Sequence, residues 1–251
     1  MDDLVSIITP TYNSEKYITE TIKSIQGQTY TNWELLITDD CSTDQTIDII
    51  KSFQKGDKRI KLFLLNKNQG AGVARNNSIK EANGRYIAFC DSDDLWKEHK
   101  LSKQIKFMKE NQVFFTYCSY EIVNEKREYI QTIIPPPIIT YNDLLSWCWV
   151  GCLTAIYDTK ILGKKYFPKI RKRQDYILWL KILREINQTK GLLEPLATYT
   201  KRQGSISSNK LGLVKYNYLV YKKGLGYNSF KSLILLGRYL CKYIIKKTVL
   251  S

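Results

Sequence analysis

Three times in its front half the chain runs from a short apolar stretch into a polar loop and then into a segment of helical spacing, and a fourth apolar stretch follows. Leu4–Ile8 reads as a strand ending in Thr9-Pro10-Thr11-Tyr12-Asn13, where Pro10, lacking an N–H, stops strand pairing. A helix capped by Asn13 or Ser14 runs to about Ser24 with Tyr17, Ile18, Ile22 and Ile25 on one face. Trp33–Thr38 is the second strand and closes on Asp39-Asp40-Cys41-Ser42-Thr43-Asp44; the next helix, from about Asp44 to Gln54, carries Ile47, Ile50 and Phe53. Ile60–Leu65 leads into Asn66–Gly72 and a helix to Ala82, which Gly84 is expected to stop. Tyr86–Cys90 is the fourth strand. This order predicts an α/β fold, a Rossmann-like, mostly parallel sheet flanked by helices. Ligands of such sheets bind beyond the carboxyl ends of the strands, and the four unusual loops (Pro10–Asn13, Asp39-Asp40, Asn68–Gly72 and Asp91–Asp94) all fall at such ends.

The fourth loop is the most acidic. Asp91-Ser92-Asp93-Asp94 places three carboxylates in four positions directly after a buried strand. Such groups repel one another unless a cation lies between them, and Mg²⁺ or Mn²⁺ takes one or two carboxylates together with substrate phosphates. An acidic turn is the competing reading, since Asp and Ser are ordinary turn formers.

Charge separates the front of the chain from its rear. Lys and Arg number 39 against 24 Asp and Glu, a net charge of +15 that calls for an anionic partner. From Lys201 to Ser251 there is no acidic residue. Strand-end loops rich in Asp would repel phosphate, which argues against a nucleic-acid binder. The first loop contains no glycine, so a dinucleotide fingerprint is absent. Six scattered cysteines without a C-x-x-C, and a single histidine, leave no zinc site or His-based triad and suit reduced core thiols in the cytosol. The acidic start and the shortness of Leu4–Ile8 speak against a secretory leader, and no apolar run is long enough to span a bilayer.

Beyond the acidic loop, Lys97–Asn111 reads as a helix and Val113–Tyr120 as a strand. Pro135-Pro136-Pro137 marks a connection, Tyr141–Val150 is a helix capped by Thr140 or Asn142, and Cys152–Tyr157 is a strand. Arg173-Gln174-Asp175 precedes an amphipathic helix, Tyr176–Ile186, with Trp179 on its core side, and Glu194–Tyr199 is a short strand.

Pro-Thr-Tyr-Asn, Asp-Asp-x-Ser-Thr-Asp, Asn-x-Gly-x-x-x-Ala-Arg-Asn, Asp-Ser-Asp-Asp-x-Trp and Arg-Gln-Asp-Tyr-x-Leu-Trp occur in this order. Together, over residues 4–200, they closely resemble the family 2 glycosyltransferases, inverting metal-dependent enzymes of the GT-A fold that use nucleotide-sugar donors. The resemblance implies a domain over residues 1–205, with a nucleotide-sugar-binding half (1–112) and an acceptor-side half (113–205). Residues 206–251 then form a helical, basic extension. It implies that Pro10 and Tyr12 line the base, with Tyr12 stacked on it, and that Asp40 accepts a hydrogen bond from uracil. Asn68, Gly70 and Arg75 would run under the nucleotide, Arg75 pairing with phosphate or with the acidic loop. Asp91, Ser92 and Asp93 match the D-x-D motif, with Asp93 the direct ligand of Mn²⁺ or Mg²⁺, and Asp91 on the ribose or supporting the metal. Asp94 caps the next helix. Asp175 matches the catalytic base, although by residue type alone it also suits a helix cap. Ile177 stands where many family members have glycine.

The expected partners are a nucleotide-sugar donor, an acceptor glycan carried on a lipid, and an anionic membrane surface, with no nucleic acid. The interleaved Lys, Tyr and aliphatic residues of Leu233–Leu250 suit an interfacial helix. The implied location is the cytoplasm, on the inner face of the cell membrane. The implied role is sugar transfer in bacterial capsule or O-antigen synthesis, and a non-catalytic nucleotide-sugar-binding module is the alternative.

Overall fold

The computed structural model describes residues 3–202 and 210–249. Its central sheet has the order β3-β2-β1-β4-β10-β6, built from β1 (Val5–Thr11), β2 (Trp33–Asp39), β3 (Ile60–Leu64), β4 (Tyr86–Phe89), β6 (Phe115–Thr116) and β10 (Ile156–Asp158). The first four run parallel and β10 runs antiparallel to both of its neighbours. Helices α1 (Ile18–Gln26), α2 (Thr46–Gly56) and α3 (Ala71–Glu81) form the crossovers between the parallel strands. The predicted α/β class and mostly parallel sheet are what the chain adopts.

Strand alternation explains why both sheet faces need cover. Val5, Ile7, Leu35, Ile37 and Ala88 face one core, closed by Ile18, Ile22 and Ile25 of α1, Ile50 of α2, and Leu101, Ile105 and Met108 of α4 (Lys100–Asn111). Ile8, Leu36, Ile87 and Phe89 face the other, closed by Ile79 of α3 and by α7 (Gln174–Ile186). Trp179 of α7 is fully buried there, stacked 5.2 Å from Phe115, as the sequence predicts.

Several boundaries differ from expectation. β1 does not stop at Pro10: it continues to Thr11, and Pro10 sits opposite Thr38 of β2. The Ile8 carbonyl accepts from Cys90 on the β4 side, and the Thr11 carbonyl accepts from Asp40 on the β2 side. Alternation therefore turns the missing N–H of Pro10 toward β4, whose pairing with β1 ended at Ile8. Gly84 does not terminate α3, which ends at Glu81 with Ala82 as its cap. Glycine is needed at position 84 for space, because a Cβ there would lie 2.5 Å from the Ser6 nitrogen. The strand expected over Val113–Tyr120 is divided between β6 and β7 (Cys118–Val123). β7 belongs to a second sheet, β5-β12-β7-β8, with β5 (Leu95–Trp96), β8 (Tyr129–Ile133) and β12 (Leu192–Thr200). A ribbon of β9 (Ile138–Thr140) and β11 (Gln188–Lys190) completes the sheets, and α5 (Tyr141–Ser146) opens on a Thr140–Asp143 capping box. The segment expected as a strand from Cys152 is a 3-10 turn to Thr154 before β10, and α6 (Thr159–Leu162) follows.

The rear of the chain is docked against α5 and α7. After α8 (Lys210–Leu219), a π-helical turn, Val220–Gly224, leads to α9 (Ser229–Val249). Val220, Tyr221, Leu225 and Leu235 belong to the same core cluster as Ile177 and Trp179. Ile177 is fully buried there, and Gly224 gives it room, since a Cβ at 224 would be 2.6 Å from its Cδ1. Residues 206–209, 250 and 251 of the expected extension lie outside the described residues. No helix among those described is long and apolar enough to cross a membrane. All six cysteines are free, but only Cys90 and Cys118 are buried core thiols; Cys41, Cys148 and Cys152 are partly exposed and Cys241 is exposed on α9.

Lys100 is wholly buried at the start of α4, its ammonium 4.0 Å from the Trp96 ring centre and without a hydrogen-bond partner among the described residues. Burial pushes its pKa down to about 8. Lys100→Met is expected to raise stability at pH 7 by about 1–3 kcal/mol in urea unfolding. The gain should shrink from pH 8 to pH 10, where the native lysine sheds its proton before the unfolded one does.

Candidate active site

Each of the four predicted strand-end loops reaches the same edge of the sheet, and a single residue ties two of them to the end of β1. The Asp40 N–H donates to the Thr11 carbonyl at 2.9 Å. Its carboxylate oxygens accept the N–H groups of Gln69 and Gly70, each at 2.7 Å, and its carbonyl accepts from the Asn68 amide at 3.1 Å. Asp39 has a separate task, accepting the Ser42 N–H at 2.8 Å and the Ser42 hydroxyl. Gly70 holds φ at +90°, a value that favours glycine, as it starts α3. Tyr12, just past β1, is half exposed and presents its ring to solvent.

The acidic loop is held from three directions. One guanidinium nitrogen of Arg75, on α3, donates to both Asp91 oxygens at 2.6 and 2.7 Å. The Ser92 hydroxyl is 2.8 Å from that of Ser14 in the first loop. Asp93 pairs with Arg202 at 2.7 Å, and its carbonyl accepts the Thr200 hydroxyl. Burial raises the Asp93 carboxyl above the usual range, and the Arg202 cation works against that rise. Asp94 is not a helix cap: α4 begins at Lys100 without side-chain capping. Asp94 lies buried and accepts the Thr200 N–H at 3.2 Å. Burial, with Asp93 and Asp91 beside it, pushes its carboxyl well above the carboxylate range. Arg202 and Thr200 follow from no motif. The signal available for Arg202 was its lack of acidic neighbours in a chain where three carboxylates crowd together.

Asp175 lies in the first turn of α7, one residue inside Gln174, so it is not the N-cap; that position belongs to Arg173 at φ 63°. Among the described residues its carboxylate accepts no hydrogen bond. Its charge is felt by Arg75, Tyr120, Cys148 and Cys152, so it lies within electrostatic reach of Arg75, which holds the acidic loop, and of the Cys148–Cys152 turn. The start of α7 touches the glycine loop: a Cβ on Gly72 would lie 2.5 Å from the Gln174 side chain. All the sequence-predicted residues thus gather at one edge: Pro10, Tyr12, Asp40, Asn68, Gly70, Arg75, Asp91, Ser92, Asp93 and Asp175. Asp91 and Asp93 offer hard oxygens of the kind Mg²⁺ or Mn²⁺ takes along with substrate phosphates. A guanidinium rests on each of them, which fits a site where these carboxylates require positive charge.

The parallel sheet with an acidic loop at its carboxyl edge, a tethered glycine loop and a carboxylate at a facing helix start define a glycosyltransferase of the GT-A fold. The chain belongs to glycosyl transferase family 2, whose model matches residues 6–171. It is 45% identical over 219 residues to the Escherichia coli UDP-Glc:α-D-GlcNAc-diphosphoundecaprenol β-1,3-glucosyltransferase WfgD, covering 86% of this chain and 84% of that one. The E. coli enzyme WfaP, described by the same reaction, is 38% identical over 247 residues, covering 97% and 95%. Among solved structures, S. aureus TarS 1-349 in complex with UDP superposes with a TM-score of 0.71 at 25% identity, over 94% of this chain and 70% of that one.

Asp40→Asn keeps one acceptor and turns an NH₂ toward a backbone N–H. It is expected to cost about 1–3 kcal/mol, read as a lower urea midpoint with an unchanged slope.

Proposed function

We propose that this glycosyltransferase moves a sugar from a UDP-sugar to a hydroxyl of a lipid-diphosphate-linked glycan, with inversion, in the assembly of a bacterial surface polysaccharide. The observation that carries this reading is the contact of Gly72 with Gln174, which brings the loop suited to the donor against the helix start that bears Asp175. WfgD and WfaP, which carry UDP-Glc and a diphosphoundecaprenol-linked acceptor in their names, support the choice of donor and acceptor.

In this reading Tyr12 stacks on uracil beside Pro10, and Asp40 accepts from the uracil N3–H with lone pairs that its loop contacts leave over. Asn68, Gly70 and Ser92 shape the floor under the nucleotide, and Asp91 holds the ribose or supports the cation through water. Asp93 is the carboxylate that would hold Mn²⁺ or Mg²⁺. When bound, that cation neutralises charge on the departing diphosphate. Arg75 keeps Asp91 ionised and aimed. The Asp175 carboxylate takes the proton of the acceptor hydroxyl as its oxygen bonds to the anomeric carbon. The bond from that carbon to the diphosphate oxygen breaks, and its electron pair leaves with UDP. Attack from the face opposite the leaving group inverts the configuration.

Asp175→Asn removes the proton acceptor without changing shape. Transfer should fall by about 10²–10⁴-fold, with UDP affinity by calorimetry unchanged. Retained transfer would exclude Asp175 as the base, and a wild-type protein that binds UDP-sugars but transfers none would favour a binding module.

The outer face of α9 supports attachment to the inner face of the cell membrane, from the cytoplasm. Ser232, Leu235 and Tyr239 face the domain, whereas Phe230, Leu233, Ile234, Ile244 and Ile245 are exposed, with Lys231 and Arg238 between them and no acid on the helix. Such a face suits insertion at an anionic lipid surface. Phe230→Ser with Leu233→Ser should abolish co-sedimentation with phosphatidylglycerol vesicles while leaving UDP binding intact. Equal pelleting of variant and wild type would remove α9 from that role.

A further inference from the structure

Immediately before the catalytic helix the chain reads Lys164-Lys165-Tyr166-Phe167-Pro168-Lys169-Ile170-Arg171-Lys172-Arg173, six cations in ten residues without an acid. Cations elsewhere that lie near the sheet include several answered by carboxylates, such as Arg59 with Asp57, Lys61 with Glu34, Arg85 with Asp158 and Lys97 with Glu121. In this segment Lys165 pairs with Glu185, and Lys164 donates to the Lys80 carbonyl. Lys169 and Arg171 are exposed, and neither they nor Lys172 has an ion pair among the described residues. Lys172 instead sits 5.9 Å over the Tyr216 ring of α8.

Arg173 is the most constrained of them. It holds a left-handed backbone that costs a non-glycine residue about 1 kcal/mol or more. One guanidinium nitrogen donates to the Tyr239 hydroxyl at 2.9 Å, and its Nε is buried without a partner among the described residues. The two C-terminal helices thus pin the cationic segment, which runs straight into Gln174 and Asp175. The positive end of the α7 dipole adds to the same field. Unpaired like charges in so short a stretch repel one another, and a bound dianion relieves that repulsion.

We propose that Lys169–Arg173 is a binding site for the diphosphate of the acceptor, with Arg171 and Lys172 as its principal contacts. The inference rests on the reading that the acceptor is lipid-diphosphate-linked. When the sugar being extended is the one attached to the diphosphate, accepting hydroxyl and phosphate sit on one ring. Arg171 and Lys172 precede the base by four and three residues, which offers that phosphate cations close to the base along the chain. A diphosphate diester carries two negative charges against the three cations at 169, 171 and 172. The site therefore selects acceptors by their anionic linker, while the base selects the hydroxyl.

The test pairs two synthetic acceptors bearing the same sugar, one linked through diphosphate to a short polyprenyl chain and one a neutral alkyl glycoside. For Arg171→Ala with Lys172→Ala, both at solvent-accessible positions, kcat/KM on the diphosphate acceptor should fall about 10- to 100-fold. On the neutral glycoside it should be unchanged, and calorimetric affinity for UDP should stay at the wild-type value. In the wild type, added salt should weaken use of the diphosphate acceptor alone, and the variant should lose that sensitivity. Equal losses on both acceptors, or no loss on either, would overturn the proposal. A fall in UDP affinity would overturn it too, by assigning these cations to the donor. If the wild type transfers to the neutral glycoside and never to the diphosphate acceptor, the functional reading fails before this site is at issue.

Discussion

Three carboxylates within four residues at the end of β4 cannot stay close without compensation, and the way each is compensated organises the molecule. Asp91 is held by Arg75 from α3, Asp93 by Arg202 just past β12, and Asp94 by the Thr200 N–H at the end of β12. The partners come from opposite ends of the chain, so the acidic loop fastens the first βα repeats to the second sheet. Repulsion among the acids does structural work here, because it is satisfied only when both halves are in place. Two of the three compensating groups are guanidiniums, which bring positive charge directly to the carboxylates.

A second dependency runs from the rear of the chain to Asp175. α7 packs fully buried residues from Tyr176 to Leu180 into the sheet, and its first turn carries Asp175. Behind it stand the π-helical turn, where Gly224 admits Ile177, and α9, where Tyr239 holds Arg173. Trp147 stacks on Tyr239 at 5.3 Å and on Tyr243 at 6.3 Å, extending the same support toward α5. The rear segment therefore backs α7 with one face and leaves an apolar, basic face outward.

The parts most legible in sequence were those set by short-range rules. Strand alternation and loop chemistry gave β1 to β4 and the crossover helices within a few residues, and motif order brought together the residues that gather at the sheet edge. Less legible were features whose cause lies far away in the chain. β8, β9 and β11 are short and lack strong alternation, and they exist because a neighbouring edge offers unpaired N–H and C=O groups. Pro10 reads locally as a strand end, yet only the early end of β4 pairing makes it harmless in mid-strand. Asp94 looks like a cap because Asp often caps, whereas burial against Thr200 decides its role.

By itself the sequence determined the repeating α/β order, the acidic loop after the fourth strand, the carboxylate ahead of the amphipathic helix and the basic, acid-free rear. These follow from residue type and local periodicity, which act over a few positions. Only the tertiary structure decided which cation answers which carboxylate, that Asp40 ties the glycine loop, and that the rear helices dock on the core instead of trailing from it. Those outcomes turn on contacts between residues up to a hundred or more positions apart, such as Arg202 with Asp93. Burial and the pairing of charges settle them, and neither is a property of any one stretch of chain.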